Sequence, residues 1–354
     1  MRVGVASIFQ NPGEVQPDAA VYADELRLAD LAEPLGFDSL WTVEHHFTDY
    51  TMMPNPLQFL SYMAGRTRTI QLGSMVVVLP WHDPVRVAEE VALLDHLSGG
   101  RFIFGMGRGA GRVEFEGFRI PMSESRARFT EAAQLVLEGL EQGYCEFDGE
   151  FFKQPRRDLR PRPTTSFRDR AYAAAVSPES VEIMARLGVG ILIIPQKPWA
   201  DVDRELAMYR EKFEEIHGEP APAPVLAGWV FCDDDAGRAR EGAEQWITRY
   251  YRSAIAHYEF TGDHFKDEKG YEFYARISES MNRRGTDEAE RMYMDLQVYG
   301  TPKECSDRIH AFCERVGAEH FVSVFSYAGM PIADAERNLR LFASDVMPLI
   351  RPVG

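Results

Sequence analysis

Leu40-Trp41-Thr42-Val43-Glu44-His45-His46-Phe47 reads as a short apolar strand that ends in groups able to move protons. The turn-like Leu35-Gly36-Phe37-Asp38 opens it. In a parallel barrel the carboxyl ends of the strands share one mouth, where such enzymes do chemistry. An isolated histidine pair is more often an ordinary loop feature. The reading therefore depends on whether the rest of the chain repeats strand and helix around this segment.

Residues 3–9, 70–79, 101–104, 172–176, 189–194, 225–232 and 321–325 have strand character, which with 40–43 makes eight. Helical spacing separates them, over 19–35, 54–64, 83–98, 123–140, from 178 onward, 202–216, 234–258, 302–316 and 333–350. Asp83-Pro84 is a capping residue followed by a proline at the first helical position, and Gly99-Gly100 closes that helix. Two stretches interrupt the rhythm. One is 144–170, with an Asp-Gly hairpin at 147–151; the other is 259–298, polar over 262–290. The pattern predicts one (β/α)8 TIM barrel spanning 1–354 as a single domain with these two insertions. A doubly wound sheet fits the count alone. However, the glycines at 105, 107, 109 and 111 do not match the dinucleotide fingerprint and lie mid-chain.

The 39 Lys and Arg against 55 Asp and Glu give a net charge of −16, which argues against nucleic acid and anionic membranes as partners. Four cysteines without CxxC spacing read as reduced thiols. The chain starts directly as a strand with no signal peptide, and no apolar run reaches membrane-spanning length. A cytoplasmic protein is expected.

Barrel strand ends would bring Glu44, His45, His46, Gly107, Arg108, Ser177, Ser180, Ile193 and Ile194 to one mouth. His45 and His46 point to opposite faces of their strand, and hydrophobic alternation leaves open which one looks inward. Ser177, Pro178 and Ser180 open a helix whose free N–H groups and dipole suit an anion, although capping alone explains a serine there equally well. Arg126, in the first turn of another helix, opposes that helix's dipole by roughly 0.3–1 kcal/mol, which suggests an anionic partner. Gly107 and its neighbours let a flat ligand approach the backbone. Adjacent histidines are poor metal geometry, and His82 and His96 form no HxH or HExxH arrangement, so no catalytic metal is expected.

Phe37-Asp38-Ser39-Leu40-Trp41, Glu44-His45-His46-Phe47-Thr48, Asp83-Pro84-Val85-Arg86, Leu93-Leu94-Asp95, Ser98-Gly99-Gly100-Arg101-Phe102, Gly300-Thr301-Pro302-Lys303-Glu304-Cys305 and Ser344-Asp345-Val346-Met347-Pro348 resemble the bacterial luciferase family of flavin-dependent monooxygenases, most closely its α subunit. The resemblance runs almost end to end. It implies a barrel that binds reduced FMN, reacts it with O2 to give a C4a-peroxyflavin and oxygenates a small organic substrate. By position, His45 would be the catalytic histidine, with Glu44 beside it as a second catalytic residue. Arg108, Arg126, Ser177 and Ser180 would hold the flavin phosphate. Met75-Val76 would be a non-proline cis peptide beneath the ring, next to Gly107 and Val176, and 262–290 would be the lid.

Gly107 stands where these luciferases carry a reactive cysteine, Val176 replaces a glutamate, Tyr250 a tryptophan, and Met75-Val76 an alanine pair. These changes bear on light emission and on an aldehyde substrate more than on flavin binding. The resemblance also implies a separate NAD(P)H-dependent flavin reductase and a homodimer through helices near 55–66 and 84–97. The alternatives are hydride transfer with the deazaflavin F420, known in the same superfamily, and a catalytically silent flavin-binding subunit.

Overall fold

The computed structural model describes residues 1–174, 178–260, 262, 265, 271, 275 and 285–351. Eight parallel strands close on themselves: β1 (Arg2–Ser7), β2 (Ser39–Thr42), β3 (Gln71–Ser74), β5 (Phe102–Gly107), β8 (Ala171–Ala174), β9 (Gly190–Ile193), β10 (Val225–Cys232) and β12 (His320–Val324), with β12 returning to β1. Closure requires each strand to register with both neighbours, as Leu40 does between Val5 and Leu72. All four residues of β2 are buried, because its two faces meet the barrel interior and the helical shell. This is the expected (β/α)8 architecture.

Helices α1 (Asp18–Ala32), α2 (Pro56–Arg66), α3 (Pro84–Ser98), α5 (Ser125–Gln142), α6 (Pro178–Leu187), α7 (Trp199–His217), α8 (Ala236–His257) and α10 (Pro302–Val316) separate the strands. Local chemistry sets their ends. The Asp83 carboxylate accepts the N–H groups of Val85 and Arg86, Pro84 follows it, and Gly99 takes the left-handed conformation that ends α3. Helix α11 (Ile332–Leu341) begins the C-terminal helical stretch.

The structure corrects four expectations. The run 70–79 is not one strand: β3 stops at Ser74, the Met75–Val76 peptide is cis, and β4 (Val77–Val78) resumes against Met106 and Gly107. Ser74 explains the break. Its Oγ donates to Gly105 O at 2.8 Å and accepts Gly105 N at 2.9 Å, so a side chain takes over where the ladder would continue. A short helix, α4 (Arg112–Phe118), follows the glycine-rich loop where only a connection was expected. The hairpin in 144–170 is longer than the 147–151 turn, pairing β6 (Tyr144–Asp148) with β7 (Lys153–Asp158). The polar segment 259–298 contains α9 (Thr286–Asp295), after which β11 (Val298–Gly300) pairs with the outer end of β10. Most of the expected lid, 262–290, lies outside the described residues.

Candidate active site

One cavity opens at the carboxyl ends of β2, β4, β5, β9 and β10. His45 lines it and His46 does not, which answers the question the sequence left open. Both lie beyond the last strand residue, Thr42, and the His46 ring turns the other way, edge-on to Trp81 and Phe118, with Nε2 3.0 Å from Glu44 Oε1. His45 Nδ1 lies 2.9 Å from Glu114 Oε1, and Tyr258 OH lies 3.4 Å from His45 Nε2. The same Glu114 oxygen accepts the backbone N–H of His46 at 2.9 Å.

The two carboxylates are both buried and both held ionised. Burial works to raise Glu44, but hydrogen bonds from His46, His82 (2.6 Å) and the Val78 N–H (2.7 Å), with the charge of His82, bring it below the usual range. Burial likewise opposes ionisation of Glu114, yet the charges and N–H groups of His45 and His257 outweigh it and hold the carboxyl at about 2. An ionised carboxylate only accepts, so Nδ1 of His45 carries the hydrogen, and in a neutral ring the lone pair would fall on Nε2, on the cavity side. That is the form a general base requires.

Glu114 and His257 were not singled out in the sequence. Glu114 sits in the first turn of a seven-residue helix too short to announce itself by periodicity. His257 did leave a signal: with Ala239, Ala243, Trp246 and Tyr250 it continues the buried face of α8 at helical spacing.

At the cationic end, Arg108 after β5, Arg126 in the first turn of α5 and Ser180 in the first turn of α6 line the same cavity. The Arg108 guanidinium lies 4.1 Å from the centre of the Tyr271 ring, whose hydroxyl donates to Gly109 O at 3.1 Å. Ser177 and Val176 lie outside the described residues. Met75, Val76 and Gly107 form a floor. A Cβ on Gly107 would stand 2.4 Å from Val76 Cγ2, so only glycine leaves both backbone and Val76 in place.

These residues fit a flavin nucleotide. The floor is apolar and stripped of one side chain, and aromatic walls come from Trp81, Phe129, Trp229 and Tyr250. The indole N–H groups of Trp81 and Trp229 are buried there without a partner, as donors awaiting acceptors. Two guanidiniums and helix N-termini suit a phosphate. By type, His45, Glu114 and His257 also make a donor set for a divalent ion, with candidate atoms within 4.8 Å of one another. Within it, Glu114 Oε1 accepts from His45 and from the His46 backbone N–H, while Glu114 Oε2 and His257 Nε2 have no hydrogen-bond partner.

Residues 1–320 match the model of the luciferase-like monooxygenase family. The alkanal monooxygenase α chain of Photorhabdus luminescens is 29% identical over 92% of this chain and 91% of that one. The β chain from the same organism is 30% identical over 68% of this chain and 74% of its own. Among solved structures, the monooxygenase RslO1 from Streptomyces bottropensis superposes with a TM-score of 0.82 at 28% identity, covering 98% of this chain and 99% of that one. With a family match over nine-tenths of its length and the barrel and cavity in place, this chain belongs to the luciferase-like monooxygenase family.

Proposed function

We propose that the protein is a two-component, flavin-dependent monooxygenase that uses reduced FMN and O2 to oxygenate a small organic substrate, aldehyde-like or another apolar compound. One observation carries the reading: a single cavity joins a carboxylate-oriented imidazole, His45 on Glu114, to the Arg108, Arg126 and Ser180 cluster. Bound reduced flavin would supply the electrons that activate O2, one oxygen atom going to the substrate and the other to water. Arg108, Arg126, Ser180 and Ser177 would hold the phosphate. Met75, Val76, Gly107 and Val176 would back the ring system.

His45 is the catalytic residue in this scheme, taking a proton at Nε2 and returning it while Glu114 keeps the ring in one tautomer. Glu44 serves by position, tying His46, His82 and the Val78 N–H into the wall beside the cis peptide. The aromatic walls keep water from the reacting centre. A separate NAD(P)H-dependent flavin reductase would supply the cofactor. The exposed Tyr62 of α2, with Leu93 and Leu97 of α3, is an apolar surface suited to a homodimer, which sedimentation at micromolar concentration tests. Four buried free cysteines suit the cytoplasm, and no helix among the described residues is long and apolar enough to cross a membrane.

Anaerobic titration with FMNH2 and with reduced F420 tests the cofactor. Mixing the loaded protein with 18O2, a reductase and a panel of aldehydes, ketones and aromatic compounds tests the reaction. Labelled oxygen in the product supports a monooxygenase; tight F420 binding with hydride transfer and no oxygen uptake overturns it. Unchanged turnover in His45→Ala would leave His45 no role, and no turnover by the wild type would favour a silent subunit.

A further inference from the structure

We propose that His257 is a positioning residue that shares the Glu114 carboxylate with His45, so that the three groups act as one proton-holding unit and His45 stays neutral with its Nε2 lone pair facing the cavity. This deepens the monooxygenase reading and rests on it for the use to which His45 is put.

The geometry is specific. The His257 and Glu114 side chains are each 1% exposed, and His257 Nε2 lies 3.6 Å from Glu114 Oε1. On the far side of its ring, Nδ1 lies 2.9 Å from Thr48 Oγ1. A threonine hydroxyl can donate there, which puts the ring hydrogen on Nε2, facing the carboxylate. The ring stacks on Tyr50 at 4.5 Å and 17° and meets His45 edge-on at 5.0 Å, so its orientation is fixed by packing. His257 does not line the cavity, so it acts only through Glu114.

Two atoms of this unit lack a hydrogen-bond partner, Glu114 Oε2 and His257 Nε2. They converge beside Gly111, where a Cβ would fall 2.4 Å from the first and 3.1 Å from the second. Glycine keeps that space open, and any larger residue would force the carboxylate and imidazole apart. A buried carboxylate can neutralise one imidazolium nearby, and a second positive charge 5.0 Å from the first would stand uncompensated. The pair therefore takes up protons as a coupled unit and not as two independent histidines. Among the described residues, these are the titratable groups that face His257. Glu114 comes from α4, His45, Asp49 and Tyr50 from the segment after β2, and Tyr258 follows His257 itself. Burial pushes His257 below the ordinary histidine range even with Glu114 beside it.

Ring 15N resonances of selectively labelled histidine in the full chain test the unit, with His45 assigned from His45→Asn. In the wild type His45 should be the Nδ1–H tautomer, and the pair should titrate in two separated steps. In His257→Phe, which keeps the stacking on Tyr50 and removes both nitrogens, His45 should lose its single tautomer and the two separated steps should collapse into one. His257→Gln restores an N–H toward Glu114 without a titrating group, so it should recover the tautomer but not the second step. Identical His45 behaviour in all three proteins overturns the proposal. So does uptake of one Zn2+ per chain that His257→Phe abolishes, which would make the cluster an ion site. FMN binding should be the same in all three, and its absence from the wild type would defeat the functional reading while leaving the titration result intact.

Discussion

Glu44 and Glu114 are two buried carboxylates of one candidate site, each facing two imidazoles, and they are finished differently. Glu44 spends Oε1 on His46 and His82 and Oε2 on the Val78 N–H, so it is closed. Glu114 accepts from His45 and the His46 backbone, but its Oε2 and the nearby His257 Nε2 are left over beside Gly111. A fully satisfied polar cluster makes a rigid wall, whereas an incompletely satisfied one keeps capacity to bind or move a proton. On this difference we propose architecture for Glu44, for which the family resemblance implies a catalytic role, and proton handling for Glu114.

The largest expected effect breaks the wall. Glu44→Ala should destabilise the fold by roughly 3–5 kcal/mol, because it strands His46, His82 and the Val78 N–H in a buried site. Denaturant unfolding measures it. A loss below about 1 kcal/mol would show that Glu44 is not structural. Glu114→Gln should spare stability far more and lower turnover roughly 10–100-fold, since the amide can donate to the histidine nitrogen and no longer fixes one tautomer. FMN affinity should stay within about twofold, because the anion-binding end is untouched. Equal losses of stability in both variants would erase the distinction.

Glu25 supplies the missing control, a buried carboxylate with no imidazole. It sits on α1 with Ser7, Ser326 and the Ile8 backbone as its polar surroundings, and burial dominates, raising it to about 7. Its folded-state pKa is above its unfolded one, so the native state binds the extra proton, and this group costs stability as pH rises from about 4.5 through 7. Glu25→Gln should therefore match the wild type near pH 5 and exceed it by about 2 kcal/mol near pH 8. A variant less stable at both pH values would mean that the ionised carboxylate is required. Across the three carboxylates, neighbouring imidazoles decide the direction of the shift.

How far this was legible in the sequence follows from the same chemistry. The barrel could be read because strands such as 225–232 and caps such as Asp83-Pro84 encode their structure locally. Glu44 and His45 could be read because they end a strand. Arg108 could be read because it follows a strand end, and Arg126 because a cation in a helix's first turn is a local anomaly. Glu114 could not: its importance comes from meeting His45, 69 residues away, and His257, farther still. The break at Ser74 was hidden for the same reason, since the Gly105 backbone that Ser74 binds belongs to another strand. Whether His45 or His46 faced the cavity was decided by partners on both sides, Glu114 for one and Glu44 for the other.

The smallest expected effect refines the account of the wall. His82 bonds Glu44 from a partly exposed position; burial works against its charge, but the Glu44 carboxylate outweighs this and raises its pKa. A raised folded-state pKa means that the stability from this pair is complete below the unfolded value near 6.5 and fades as pH climbs through the folded value. His82→Asn should thus cost about 1 kcal/mol at pH 6 and less at pH 9, where the wild type has already lost the charge. Unfolding curves at the two pH values measure the difference. A cost that grows with pH would mean that His82 serves Glu44 as a neutral donor. The wall would then depend on hydrogen bonds alone, and the contrast with the charged Glu114 unit would become sharper.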